Sequence, residues 1–389
     1  MEYYCYNGRR VDRSFFYNRG RNRLRSIYRV LALFTVMAVV GIFYQITEEE
    51  RLLKESWSAQ TADYDSDCDI AIAMGSDLPS SRGMFASINS IIANYHQPNR
   101  KLCFFVFSTK ADYPARKKGL ECVFGTTNDD PDKKDPDKDQ AHSQGLPSNV
   151  QIFHKEIDRD AWDTVIYTQH ELQGGSGSAN ALEYLYARYY LKPADVDGHQ
   201  RVIWIDSDTI VRGDVQELYD WDLKGQVVAA ASYWEPLKNY LCTNPRLNKI
   251  KMKTPEGKYM TPFQVKKHLN NGLLVIDLYQ MQRQRILQKW HALLISHELQ
   301  CLWVQGGDQG FYLALNGEYE ELPNVWNVGY LGKQEYHRYN DACQNGKMLH
   351  WNGSGKPYNE GRSASLCVDQ FDMFDVVAMQ NKGECLRLP

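Results

Sequence analysis

Hydrophobic and polar positions along this chain sort into short apolar runs separated by stretches of helical period. Residues 69–74 form a compact apolar run that stops at Gly75-Ser76, and residues 102–108 form a second. Between them, residues 83–95 space their apolar side chains three and four apart, as a helix with one buried face requires. Further apolar runs at 202–205, 226–232 and 273–278 predict buried strands. Residues 179–191 and 281–295 predict helices, and residues 304–315 pass through a Gly-Gly turn into another. Near-continuous apolar strands alternating with helices over about 300 residues predict an α/β fold, with a mixed, mostly parallel sheet and helices on both faces.

Two segments break this pattern. Residues 28–46 are apolar apart from a few polar positions and carry Tyr28 and Tyr44 near their ends. About 19 residues suffice to cross a bilayer, and aromatic residues favour its interfaces. Residues 1–29 hold eight arginines against Glu2 and Asp12, which places that end in the cytosol and everything after Glu48 across the membrane. A long basic leader without a small-x-small cleavage site argues for a signal anchor over a cleaved peptide. The expectation is a cytosolic tail (1–27), a single transmembrane anchor (28–46) and a stem (47–66), giving a type II membrane protein. A short anchor suits a thin secretory-pathway membrane. The second segment, 126–149, alternates Asp, Lys and Pro and offers no apolar face, so a disordered surface insertion is expected.

A net charge of −3 excludes a nucleic-acid binder for the chain as a whole. Of nine cysteines, Cys5 falls on the cytosolic side and eight face an oxidising lumen. Disulfides are therefore expected, although eight cysteines allow 105 connectivities. Cys103, inside an apolar run, is expected to be a buried free thiol.

The chemistry concentrates in Arg201-Val-Ile-Trp-Ile-Asp206-Ser207-Asp208. In an extended chain the carboxylates of Asp206 and Asp208 would share a face, and two hard oxygen ligands at a strand end suit Mg²⁺ or Mn²⁺. Open positions on such an ion suit the diphosphate of a sugar nucleotide. His350, after a short apolar approach, can complete that ligand set. Gly353 and Gly355 allow close backbone approach to phosphate oxygens, and Lys356 brings a mobile positive charge. Asn270-Asn271-Gly272 precedes a buried strand, where amides can bracket sugar hydroxyls. Asp308-Gln309 follows Gly306-Gly307 at a helix start, with Asp308 placed as N-cap. A nucleotidyl- or phosphotransferase would need a phosphate-gripping glycine loop or an arginine cluster near Asp206, and neither is present. Asn352-Gly353-Ser354 is the only glycosylation sequon; as part of an active-site wall it should stay unmodified.

Asp-x-Asp after a strand, Asn-x-Gly before one, Asp-Gln, then His350-x-x-Gly353-x-x-Lys356-Pro resembles glycosyltransferase family 8 in order and spacing over roughly residues 67–362. Residues 86–91, 186–191, 326–332 and 349–353 make it most similar to the animal domain-containing type of that family. Residues 363–389 would be a C-terminal extension. The resemblance implies a Rossmann-like GT-A fold, a UDP-sugar donor, Mn²⁺ with Mg²⁺ as the alternative, an unidentified acceptor and transfer with retention. It implies Asp206, Asp208 and His350 as metal ligands. Lys356 and Gly353 would hold the diphosphate, and Asn270 and Gln309, with Asp308 beside them, would meet the donor sugar. Arg188, Ser207, Asn271 and Gly272 would line the donor pocket. Residues 73–77, with Ala73 and Gly75, would approach the uridine. Anchor length and family together point to a lumenal catalytic domain in the Golgi. The chain departs from the family at Gly75-Ser76-Asp77, where an acidic-then-aromatic uridine contact is usual, and at Tyr358, where tryptophan is usual.

Overall fold

The computed structural model describes residues 4–6, 9–11, 48, 50–58, 67–125, 146–157, 179–232, 235–253, 257–304, 308–333, 341–359, 365–379 and 385. The expected anchor at 28–46 and most of the expected insertion, residues 126–145, lie outside them. No helix among the described residues is long and apolar enough to cross a membrane. The chain divides into two compact units, Met1–Ala59 and Gln60–Pro389. In the first, Tyr4–Tyr6 pairs antiparallel with Arg9–Val11, and residues 50–58 are helical.

The second unit is built on a seven-stranded sheet. Its strands are β1 (Ile70–Gly75), β2 (Leu102–Ser108), β3 (Val150–Glu156), β4 (Arg201–Ile205), β6 (Val228–Ala231), β7 (Leu273–Asp277) and β8 (Tyr319–Leu322). A short strand β5 (Thr209–Val211) lies outside it and pairs with β9 (Met348–His350). The order across the sheet is β8-β6-β7-β4-β1-β2-β3. β7 is antiparallel to both β4 and β6, whereas every other neighbouring pair is parallel. The expected mixed, mostly parallel sheet is therefore present. Reversal of β7 brings its first residue to the edge where β4 ends.

Alternation along each strand divides the side chains between two faces. Ile70, Ile72, Met74, Phe104, Val106, Ile203 and Ile205 pack with α1 (Ser81–Ala93) and α2 (Tyr113–Phe124) in one apolar cluster. The other face carries Trp204 and meets α3 (Ala179–Tyr190). The helix expected over 281–295 is two helices, α4 (Leu278–Arg283) and α5 (Ile286–Leu299). Arg285 adopts φ 53 and separates them. Asp277 Oδ1 caps α4 by accepting from Gln280 N at 2.9 Å.

Four disulfides pair all eight cysteines expected beyond the anchor: Cys68–Cys103, Cys122–Cys385, Cys242–Cys301 and Cys343–Cys367. Cys103 is thus not a free thiol. It starts beside β1, where Cys68 is brought within reach by the parallel register of Ile70 with Leu102. The C-terminal segment is not appended to the domain from outside. Val376, Val377 and Cys385 lie in the α1/α2 core, and Arg82 Nε donates to the buried Asp375 carboxylate at 2.9 Å.

Candidate active site

Asp206 and Asp208 do not sit on an extended strand. β4 ends at Ile205, and the chain bends through 206–208 before re-entering as β5. Asp206 N donates to Gly272 O at 2.9 Å, and Thr209 Oγ1 donates to Asp206 O at 2.8 Å, which together hold the bend. β5 pairs antiparallel with β9 and sets His350 opposite Thr209. Trp351 N then donates to Asp208 O at 2.9 Å. The outcome is the expected convergence by a different route: one ligand atom each of Asp206, Asp208 and His350 lies within 4.8 Å of the others. Two carboxylate oxygens and an imidazole nitrogen suit a divalent ion of the Mn²⁺ or Mg²⁺ kind.

The hydrogen bonds of His350 fit that assignment. Asn270 Nδ2 donates to Asn327 Oδ1 at 3.3 Å, so this oxygen is an acceptor, and His350 Nδ1 faces the same oxygen at 3.0 Å. The ring proton therefore belongs on Nδ1. The Nε2 lone pair then points at Asp208 Oδ1, 3.3 Å away. Two acceptors held face to face are what a bound cation separates and stabilises. Gly272 makes room for the ring, since a Cβ there would stand 2.2 Å from His350 Cε1.

The two carboxylates differ in their partners. Asp206 Oδ1 accepts from Trp204 Nε1 at 2.9 Å and lies 3.1 Å from Arg188 Nη2. Arg188 is buried, donates Nη1 to Asn271 O and Nε to Leu185 O, and stacks over Trp204. Burial opposes its charge, but Asp206 more than offsets this and raises its pKa. Asp208 receives Lys356 Nζ, which also donates to Trp351 O at 2.8 Å. Burial works against ionisation of Asp208, yet Lys356 overcomes it, joined by His350 when its ring carries a second proton, and holds the carboxyl well below the usual carboxylate range.

On one side of these carboxylates lie the amides. Asn270 Oδ1 accepts from Gly272 N at 3.0 Å, turning the start of β7. Asn271 Nδ2 donates to Tyr189 Oη at 3.0 Å, and Tyr189 Oη donates to Asp308 Oδ1 at 2.8 Å. Asn271 Oδ1 is buried and meets no partner among the described residues. Asp308 is the first residue of α6 (Asp308–Leu315) rather than its N-cap, and Gln309 is buried in the first turn. Tyr189, stacked on Phe311 with ring centroids 4.1 Å apart, ties α3 to α6 beneath this side.

The β1 end is built differently from the expectation. Ala73 is 0% exposed, in register with Phe105 and Trp204, so it lies inside the sheet and not on a ligand surface. Gly75 is enclosed by Tyr184, Trp204 and the Phe107 carbonyl. The loop beyond it is held from below by the buried Arg116, which donates to Ser76 O at 2.6 Å, Asp77 O at 2.8 Å and Ser81 Oγ at 2.7 Å. Asp77 caps the following turn, accepting from Ser80 N at 3.2 Å. Nearby, His154 Nε2 meets Ser108 Oγ at 2.9 Å and its ring stacks on Tyr113. Burial lowers its pKa to about 3.

Ser207 is half-buried in the bend between the two aspartates, and Gly353 takes φ 106 in the loop leading to Lys356. Asn327 and Tyr189 are the residues missed from sequence. Both lie in stretches that carried the family resemblance, but an amide or phenol that orients a ligating group has no spacing signature of its own.

The model of the family described as "Glycosyl transferase family 8" matches residues 58–361. Mouse "Glycosyltransferase 8 domain-containing protein 2" is 26% identical over 363 residues, covering 86% of this chain and 91% of that protein. Rat "Glycosyltransferase 8 domain-containing protein 1" is 29% identical over 203 residues, covering 46% of this chain and 51% of that one. Among solved structures, the apo "WbbM bifunctional glycosytransferase" superposes with a TM-score of 0.51 at 19% identity, over 80% of this chain and 50% of that one. The galactosyltransferase LgtC in complex with donor and acceptor sugar analogs gives 0.49 at 17% identity, over 82% and 98%. The sheet order, the single reversed strand and the match over most of the chain agree: the protein has a GT-A-like glycosyltransferase fold and belongs to glycosyltransferase family 8.

Proposed function

We propose that this glycosyltransferase moves a hexose from a UDP-sugar to an acceptor with retention of anomeric configuration, and that Asp206, Asp208 and His350 hold Mn²⁺, with Mg²⁺ as the alternative. The observation that carries this reading is the convergence of those three ligand atoms within 4.8 Å beside Lys356. A cation held there supplies Lewis-acid neutralisation of the donor diphosphate. The remaining roles fall to the chain itself. The Lys356 ammonium opposes the negative charge that grows on the leaving diphosphate. The unpaired Asn271 Oδ1 suits a donor hydroxyl as its hydrogen-bond donor. The Gln309 amide, which bears no charge, suits stabilisation of the sugar face. Asp308 accepts the Tyr189 hydroxyl and is thereby a poor nucleophile. Front-face attack by the acceptor on the donor therefore fits better than a covalent glycosyl–enzyme intermediate.

The lumenal Golgi placement, with a type II anchor at 28–46, is supported by the arginine-rich start of the chain and by the pairing of eight cysteines, which needs an oxidising compartment. The test is UDP release by the full chain in detergent across a panel of UDP-sugars, with Mn²⁺ or with chelator. Chelator-sensitive release from one UDP-hexose is the expected outcome. Folded protein that neither releases nor binds UDP would mean a non-catalytic role.

A further inference from the structure

The excursion between β6 and β7 leaves the sheet at Ala231 and returns at Leu273. Because β7 is reversed, both ends lie on the rim that carries Asp206, and the returning end is the Asn270-Asn271-Gly272 turn itself. Within it, residues 237–268 hold seven lysines and one arginine against a single acidic residue, Glu256, in a chain of net charge −3. The described residues of the segment are anchored to the fold. Leu237, Leu247, Met252 and Val265 are buried, and Leu241 bridges to Trp303 next to the Cys242–Cys301 disulfide.

Leu237, Leu247 and Val265 each have one exposed cation as a neighbour in sequence, and Met252 has two. Met252 is 1% exposed while Lys251 and Lys253 on either side of it face solvent, as strand alternation requires. Lys267 is engaged by Glu321 at 2.9 Å, but among the described residues Lys238, Lys249, Lys251 and Lys253 enter no ion pair. A surface that concentrates uncompensated charge of one sign repels itself and gains only when a partner of opposite sign covers it.

We infer that the exposed Lys238, Lys249, Lys251 and Lys253 form the docking surface for an acceptor glycan bearing negative charge, sulfate or carboxylate, which runs from the lysine face onto the donor site. This rests on the transferase reading above, since it is the transfer reaction that requires an acceptor at this rim. A glycan is favoured over an anionic membrane because the basic segment begins and ends at the catalytic rim, where an acceptor hydroxyl must arrive.

The test uses full-length protein, with a heparin oligosaccharide as sulfated probe, a neutral dextran oligosaccharide of similar length as control, and phosphatidylserine vesicles. Lys249→Glu, Lys251→Glu and Lys253→Glu are combined in one variant. Expected are binding of the sulfated probe without donor, loss of that binding as salt shortens the screening length below about 8 Å, and at least a tenfold weaker affinity in the variant. Mn²⁺-dependent UDP binding and acceptor-free UDP release should be unchanged in that variant. Equal affinity of wild type and variant, equal binding of dextran, or binding of vesicles without binding of the oligosaccharide would each overturn the inference. If the triple reversal does not fold, Lys249→Gln with Lys251→Gln replaces it, and a fall of at least threefold is required. Failure of the transferase reading would show separately, as sulfated-probe binding intact while wild type binds no UDP.

Discussion

Asp206 and Asp208 are two residues apart, but the regions that hold them are constructed on different principles. The partners of Asp206 are Trp204 in β4, Arg188 in α3 and the Gly272 carbonyl at the start of β7, all within the sheet or the helix packed on it. The partners of Asp208 are His350 at the end of β9 and Lys356 in the loop after it. That second region reaches the sheet-borne one through the three-residue β5–β9 pairing and through Arg212 N and Gly213 N, which donate to Lys347 O at 2.6 and 3.0 Å. The difference sets an expectation: the first half is held by contacts that also build the sheet, the second by side chains on a short strand pair and the loop after it. Damage to the first should appear as lost stability and damage to the second as lost binding and turnover.

The largest expected effect tests the second half. Asp208→Asn should abolish metal-dependent UDP binding and lower turnover on the order of 100-fold or more, with a smaller loss of stability than the mirror variant below. Unchanged UDP binding in calorimetry would remove Asp208 from the ligand set. The mirror experiment is Arg188→Met, which leaves the Asp206 carboxylate and the Asn271 carbonyl without their cation. Breaking such a pair costs about 3 kcal/mol, to be read in denaturant unfolding; a variant of wild-type stability would show that the two halves do not differ as described. Asn327→Ala sharpens the contrast. It frees the His350 ring and removes one acceptor of Asn270 while leaving the strand pairing in place, so metal affinity should fall about tenfold while unfolding is little altered.

A pH series separates the halves again. His154, in the sheet-borne region, has a folded pKa depressed to about 3 by burial. Its contribution to stability is present above the unfolded value near 6.5, declines as pH falls from there, and is fully lost once pH passes through about 3. Stability should therefore decline below pH 6.5 with a slope of at most about 1.4 kcal/mol per pH unit from this group, and His154→Phe should flatten the decline. A slope identical in the variant would assign the loss to other groups. The smallest expected signal is a null result in intact mass: Asn352 Oδ1 is taken by the Tyr330 amide, so its sequon should carry no glycan. A glycan there would mean that the loop after β9 opens away from the Tyr330 amide.

The alternation of apolar runs made the sheet and its helices legible because burial on both faces is written residue by residue along β1, β2, β4 and β7. The three metal ligands were legible as well, since side-chain chemistry is local. The geometry that assembles them was not. Nothing in residues 206–208 shows that they bend, because the bend depends on hydrogen bonds to Gly272 and on pairing with residues about 140 positions later. Ala73 looked like a ligand-facing residue from its position in a motif, and strand pairing encloses it. Cys103 looked like a thiol because its partner Cys68 is adjacent only after β1 and β2 pair. Where a property depends on one residue and its immediate neighbours the chain states it; where it depends on register between distant segments it does not.

Cys343 and Cys367 close a covalent ring that contains both His350 and Lys356. A peptidase cut anywhere between those cysteines would leave two pieces that cannot separate. β9 would stay paired with β5, and the loop bearing Lys356 would remain tethered at Cys367. Such a nicked enzyme should keep its metal ligands on one molecule until a reductant opens both this ring and the Cys122–Cys385 bond, so sensitivity to proteolysis and sensitivity to reduction are coupled at this site.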